Sequence, residues 1–277
     1  MSLRRALPRV CIALGFPEVE SLLEHASSEI ESGEQFVEFR LDYLDDPEAG
    51  VRAIFDFLKR YPEATVLATC RRHQNQGRFN GSIEEQLRIL GAAVDSGAAA
   101  VDVEIESAEG VASGLDELQS RAALVISYHN YTGTPALEPV LRRMMRMQAD
   151  AYKIVTTARK PSDVYRVLSL AKAHPRVPMI LLAMSETGFP VRALSTAFGS
   201  LYTYAAPSSA EGTASGQVCA RMLRNLYRVE KLSKSARVSD WMRSTPDWMK
   251  AMATRSMGTS NPASVLTESF IRARERV

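Results

Sequence analysis

Nowhere does the sequence run apolar for the ~20 residues that a membrane-spanning helix requires, so no span is expected. Charge of one sign is missing too. Its 34 Lys and Arg stand against 32 Asp and Glu, for a net charge of +2. That is too little to point to nucleic acid or a membrane surface as partner. Cysteine is scarce: Cys11, Cys70 and Cys219 lie far apart, with no CxxC and no His/Cys spacing of a metal site. Free thiols in a reducing compartment, the cytoplasm, are therefore expected, and no metal. The start, MSLRRALPRVCIALG, places two arginines before an apolar stretch. Pro8 and Arg9 interrupt it and no small-residue cleavage site comes after them, so Val10 to Leu14 reads as a first strand rather than a leader.

What is present is regular. At 45% hydrophobic and 24% charged over 277 residues, the chain suits a soluble protein able to bury one large core. Eight short apolar runs recur: 10–14, 36–41, 65–70, 99–105, 123–128, 151–156, 179–184 and 201–205. They are rich in Val, Ile, Leu and Tyr, as strands buried on both faces should be. Segments with helical spacing lie between them. PEAGVRAIFDFLKRYP places Val51, Ile54, Phe55 and Leu58 on one expected face. SIEEQLRILGAAVDSG opens with the capping-box pair Ser82 and Glu85 and stops at Gly97. This alternation predicts an α/β fold, a closed (β/α)8 TIM barrel, over residues 1–230. An open doubly wound sheet is the rival, but the turn after the first strand has no G-x-G-x-x-G. Residues 231–277 carry both tryptophans and no strand run. They are expected to form a non-barrel tail of short helices or loose chain.

Barrel enzymes place their chemistry at the carboxyl ends of the strands. Polar side chains cluster there: Glu38, Arg40 and Asp42; Arg71 and Arg72; Asp102, Glu104 and Glu106; His129; Lys153; then Arg192, Thr213 and Gln217. Strand alternation sets Glu38 and Arg40 apart from Val37, Phe39 and Leu41, and Asp102, Glu104 and Glu106 apart from Val101, Val103 and Ile105. If the apolar set meets the helices, the charged set faces the barrel axis. A structural ion pair would explain Glu38 and Arg40 equally well.

Lys153 in DAYKIVTT is the hardest to assign to structure alone, because lysine is almost never buried without a partner. An amine desolvated in a strand loses its proton more easily and becomes a nucleophile toward carbonyls. Pairing with Glu38, Asp102 or Glu104 is the competing explanation. An iminium acidifies the adjacent carbon, and His129, ending the preceding strand, has the chemistry to move that proton.

Several stretches then resemble type I 3-dehydroquinate dehydratases: VEFRLDYL at 37–44, TCR at 69–71, GSIEEQLRILGAAVDSGAAAVDVEIE at 81–106, ISYHNY at 126–131, AYKIVTTA at 151–158, FGSLYTYA at 198–205 and TASGQV at 213–218. The resemblance implies dehydration of 3-dehydroquinate to 3-dehydroshikimate through an imine on Lys153, with His129 as acid and base. By the same implication Glu38, Arg40 and Arg71 contact substrate hydroxyls or order the site, and Arg192 pairs with the substrate carboxylate. Thr213 and Gln217 would close over the ligand. No cofactor is implied, and a homodimer is allowed.

Two stretches depart from the family. Asn75 and Gln76 stand where Glu and the first Gly of a Glu-Gly-Gly stretch are usual, and Thr213 replaces a Ser. VEKLSKSARV resembles the junction at which bifunctional members continue into a shikimate dehydrogenase domain. The chain beyond that junction is too short for one, so no NADP-dependent activity is expected. The alternatives are a class I aldolase or transaldolase, which would show a phosphate-binding turn after strands seven and eight, and a silent ligand-binding barrel.

Overall fold

The computed structural model describes residues 7–208, 212–214, 216–225, 227 and 229. The expected tail, 231–277, lies outside them. Eight strands form one sheet: β1 (Val10–Leu14), β2 (Phe36–Arg40), β3 (Thr65–Thr69), β4 (Ala100–Glu104), β5 (Ala123–His129), β6 (Ala151–Thr157), β7 (Met179–Met184) and β8 (Thr203–Ala205). From β1 to β7 each pairs in parallel with its neighbour in chain order, and β1 also pairs with β8. The Leu201 amide donates to the Met179 carbonyl at 2.8 Å and so brings β8 back to β7. The expected (β/α)8 barrel is the observed fold.

The helices follow the strands: α1 (Val19–Glu31), α2 (Pro47–Arg60), α3 (Ile83–Asp95), α4 (Ile105–Ala108), α5 (Ala112–Arg121), α6 (Leu137–Met144), α7 (Pro161–Ala173), α8 (Phe189–Phe198) and α9 (Ala220–Asn225). Short polar groups start several of them. Asp46 accepts from the Glu48 amide ahead of Pro47, and Ser82 and Glu85 bond reciprocally as a capping box at α3. Beyond that helix, Gly97 has φ +106°, the left-handed conformation that ends helices.

Alternation explains the layers. Val37, Phe39, Leu41, Val101, Val103 and Ile105 all join the core between sheet and helices. Inside the barrel, Cys11, Phe36, Leu67, Ala100, Val125, Ala151 and Ile180 fill the amino-terminal end. The next positions along the same strand faces are Glu38, Thr69, Asp102, Ser127 and Lys153, all buried. The barrel is thus apolar below and charged above.

Two expectations need correction. Glu106 does not join Asp102 and Glu104 on the axis. β4 ends at Glu104, α4 begins at once, and Glu106 is turned out to solvent, where it accepts from Asn75 and Arg143. Phe55 is 58% exposed, because the buried stripe of α2 runs through Val51, Ile54 and Phe57 instead. The helix after β8 starts at Ala220, and Ala206 and Cys219 form an isolated bridge before it.

Candidate active site

At the carboxyl ends of the strands lies a cavity of about 310 Å³. Glu38, Arg40, Arg71, His129, Lys153, Arg192, Thr213 and Gln217 all line it. These are the eight site residues expected from the sequence. Tyr43, Gln76, Tyr131, Met184 and Tyr204 line it as well.

Lys153 stands at the base, buried, near the middle of β6. Its Nζ donates to Asp102 Oδ2 at 2.9 Å and to the Tyr204 hydroxyl at 2.9 Å, with Glu38 Oε1 at 3.6 Å. The lysine is therefore paired, as the competing explanation required. Asp102 is the hub. It also accepts from Ser127 Oγ at 2.6 Å and from Arg71 at 3.2 Å. Burial pushes its carboxyl up, but Lys153 and Arg71 pull harder and hold it well below the ordinary carboxylate range. Arg71 extends on to Glu104 at 3.3 Å, and Gln86 donates to the other Glu104 oxygen at 2.7 Å. Burial outweighs these contacts and raises the Glu104 carboxyl.

His129 sits on the same face of β5 as Ser127, and Ser127 is the register partner of Lys153. Two residues along a strand rise about 6.6 Å, so the imidazole lies one layer above the amine. Tyr131 stacks on it with ring centroids 5.9 Å apart. Burial, then the charges of Arg71 and Lys153, push the imidazole well below its usual range. At neutral pH it is uncharged and ready to accept a proton. Its Nδ1 is buried and has no hydrogen-bond partner among the described residues.

The remaining walls are two arginines and two loops of special backbone. Arg40 is held by a bidentate pair to Asp42, at 2.9 and 2.8 Å. Arg192, on α8, is fully buried, and burial lowers its guanidinium to about 10. A 3-10 turn, His73–Asn75, leads to Gln76 at φ +56°. This is the left-handed conformation for which glycine is the usual choice. At Gly77 a Cβ would lie 1.9 Å from the Arg71 carbonyl oxygen, so only glycine lets this loop lie against the Arg71 backbone. Asn75 turns away from His129: its side chain donates to Glu106 at 2.8 Å, and only its carbonyl faces inward, accepting from Tyr131 at 2.9 Å. After β8, Gly216 at φ +80° presses against the exit of β7, and Gln217 accepts from the Ala214 amide at 3.1 Å. Among the described residues no cluster of His, Cys, Asp and Glu fits a metal ion.

Fold and cavity together define a (β/α)8 barrel with a buried, paired lysine at the base of a charged pocket. Residues 10–234 match the family model described as type I 3-dehydroquinase. The chain belongs to that family. A 3-dehydroquinate dehydratase of Desulfotalea psychrophila is 34% identical over 226 residues, covering 79% of this chain and 96% of that protein. One from Dehalococcoides mccartyi is 32% identical over 224 residues, 80% and 95% of the two chains. The crystal structure of 3-dehydroquinate dehydratase from Geobacillus kaustophilus superposes with a TM-score of 0.73 at 25% identity, over 83% of this chain and 93% of that one.

Tyr204 and Tyr131 were not among the residues expected from the sequence, since their hydroxyls are hidden among strand and loop aromatics. Asp102 was expected on the barrel axis and as one of three possible partners of Lys153, not as the hub of the site. A carboxylate opposite a lysine two strands away leaves no local pattern.

Proposed function

We infer that the protein eliminates water from 3-dehydroquinate to give 3-dehydroshikimate, with Lys153 as the imine-forming amine and His129 as the proton carrier. The observation that supports this most is the layering of a buried lysine beneath a neutral histidine in a cavity walled by guanidinium groups. The Nζ lone pair adds to the substrate ketone. A C–N bond forms, the carbonyl oxygen takes one proton from the attacking nitrogen and a second from the site, and water leaves to give the iminium. The iminium draws electron density from the C2–H bond, and His129 accepts that proton. The resulting enamine expels the C1 hydroxyl, which leaves as water with the proton His129 returns. Hydrolysis frees Lys153.

In this reading Arg192 pairs with the substrate carboxylate, where a guanidinium matches a planar anion. Glu38, Arg40 and Arg71 order the site and meet the ring hydroxyls, while Thr213 and Gln217 close over the mouth. A homodimer in the cytoplasm belongs to the same reading. The free, buried thiols of Cys11 and Cys70 support the compartment. Growth of the product's enone absorbance on mixing the protein with 3-dehydroquinate tests the function. A flat trace from folded protein contradicts it.

A further inference from the structure

We propose that the Tyr204 hydroxyl is a proton relay that carries the Lys153 ammonium proton to Glu38 and so readies the amine for attack. The proposal rests on the reading of Lys153 as nucleophile. An ammonium has no lone pair, so a proton must leave Nζ before a C–N bond can form. Nζ faces two carboxylates. Asp102 is in direct contact at 2.9 Å, but its oxygens also receive Arg71 and Ser127. The charges of Lys153 and Arg71 overcome the effect of its burial and leave it a very weak base. Glu38 is different. Its Oε1 accepts from two neutral hydroxyls, Thr69 at 2.7 Å and Tyr204 at 3.3 Å. Arg40 and Arg71 act on it only through space, since their hydrogen bonds go to Asp42 and to Asp102 and Glu104.

Glu38 lies 3.6 Å from Nζ, beyond a good hydrogen bond. Tyr204 spans that gap, since its hydroxyl accepts from Nζ at 2.9 Å while donating to Glu38. Its ring also lies under the ammonium, with Nζ 4.3 Å from the centroid. In the transfer one Nζ–H bond breaks and the proton joins the tyrosine oxygen. The tyrosine's own proton passes to Glu38 Oε1. A neutral amine, a neutral carboxylic acid and an unchanged tyrosine result. Glu38 lines the cavity, so the same proton is at hand when the carbinolamine oxygen leaves as water.

The surroundings keep the hydroxyl protonated, as a relay requires. Burial, then Glu38 and the aromatic neighbour Tyr202, push the phenol well above its usual range. The titratable and charged groups facing it are Cys11 from β1, Glu38 from β2, Asp102 from β4, Lys153 from β6, Tyr202 from the turn before β8 and Arg192 from α8. Burial raises the Cys11 thiol as well, so it stays neutral. Among the described residues, Glu38 is the carboxylate joined to Nζ through the Tyr204 hydroxyl.

Tyr204→Phe keeps the ring and removes the path. Rapid-quench borohydride trapping with 3-dehydroquinate, from about pH 6 to 9, reads the imine-forming step alone. The variant is expected to trap at least about tenfold more slowly at neutral pH. Its rate should climb with pH as hydroxide replaces the relay, whereas the wild-type rate should change little. Loss of water from imine already formed should proceed at the wild-type rate. A role in packing alone would not produce that pH dependence. If Tyr204→Phe does not fold, Glu38→Gln, which removes the acceptor, should slow trapping in the same way. Wild-type trapping rates with wild-type pH dependence in either folded variant overturn the relay and leave the lysine assignment standing. Failure of the wild type itself to trap on Lys153 overturns both.

Discussion

Lys153→Ala is expected to abolish turnover and also to destabilise the fold. The second effect follows from the pairing in the site. Asp102 is completely buried and holds three donors: Lys153 at 2.9 Å, Arg71 at 3.2 Å and Ser127 at 2.6 Å. Removing the lysine leaves its carboxylate short of one cation in a water-poor interior. Breaking a buried pair in this way costs about 3–5 kcal/mol. Arg71 stays and water can enter the space left by the ammonium, so we take the lower end, about 3 kcal/mol. For a protein of this size that corresponds to a fall in Tm of roughly 6–12 °C. The pH dependence identifies the cause. In the wild type the Asp102 carboxyl is depressed, so its stabilisation is fully present above the unfolded value near ~3.9 and is lost as pH falls through the folded one. Without Lys153 the desolvation of Asp102 is less opposed and its carboxyl rises. The deficit of the variant should therefore be largest at neutral pH and shrink in acid, where protonation relieves the unpaired charge. Thermal melts of both proteins at about pH 7 and about pH 4 provide the test. Equal melting temperatures at neutral pH, or a gap that widens in acid, would refute the buried pair.

Other outcomes rest on the same geometry. His129→Ala should lower kcat by roughly 10²–10⁴-fold while borohydride still captures substrate on Lys153; equal loss of trapping would place the histidine earlier in the reaction. Because burial and two cations depress the imidazole, its neutral form persists below the ordinary value near ~6.5. The acid limb of kcat/KM should therefore lie below that pH, and a limb above it counts against the assignment. Asn75→Ala should change kcat by less than about threefold, the scale of a lost exposed hydrogen bond, since its side chain turns out to Glu106; a hundredfold loss would mean that it reaches the histidine. Gly77→Ala drives a Cβ into the Arg71 carbonyl, so both Tm and activity should drop, and a neutral result would show that the loop is free to shift.

The barrel was legible because parallel strands buried on both faces leave short apolar runs, and helices between them leave periodic ones. The charged interior was legible for the same reason: Glu38, Arg40, Asp102 and Glu104 interrupt strands whose other face is uniformly apolar. Glu106 misled because strand alternation continues in the sequence past the point where the chain turns into α4. Phe55 misled because an aromatic at helical spacing need not lie on the buried stripe. Pairing of Lys153 was one of the two readings, but which of Glu38, Asp102 and Glu104 would meet it was out of reach. It depends on β2, β4, β6 and β8 converging across the barrel, which no spacing along the chain records. Tyr204 reads as one more apolar strand residue until its hydroxyl is seen between an amine and a carboxylate. At Gln76 the departure from glycine was visible, but the left-handed backbone that it occupies was not.

The proposed chemistry stands on the covalent bond between Lys153 and the ketone. Borohydride added during turnover, with intact mass and peptide mapping afterwards, tests it most directly. The reduced substrate adduct should be found on the peptide carrying Lys153, with activity lost in proportion. An active enzyme that yields no adduct, or an adduct on a different lysine, would contradict it.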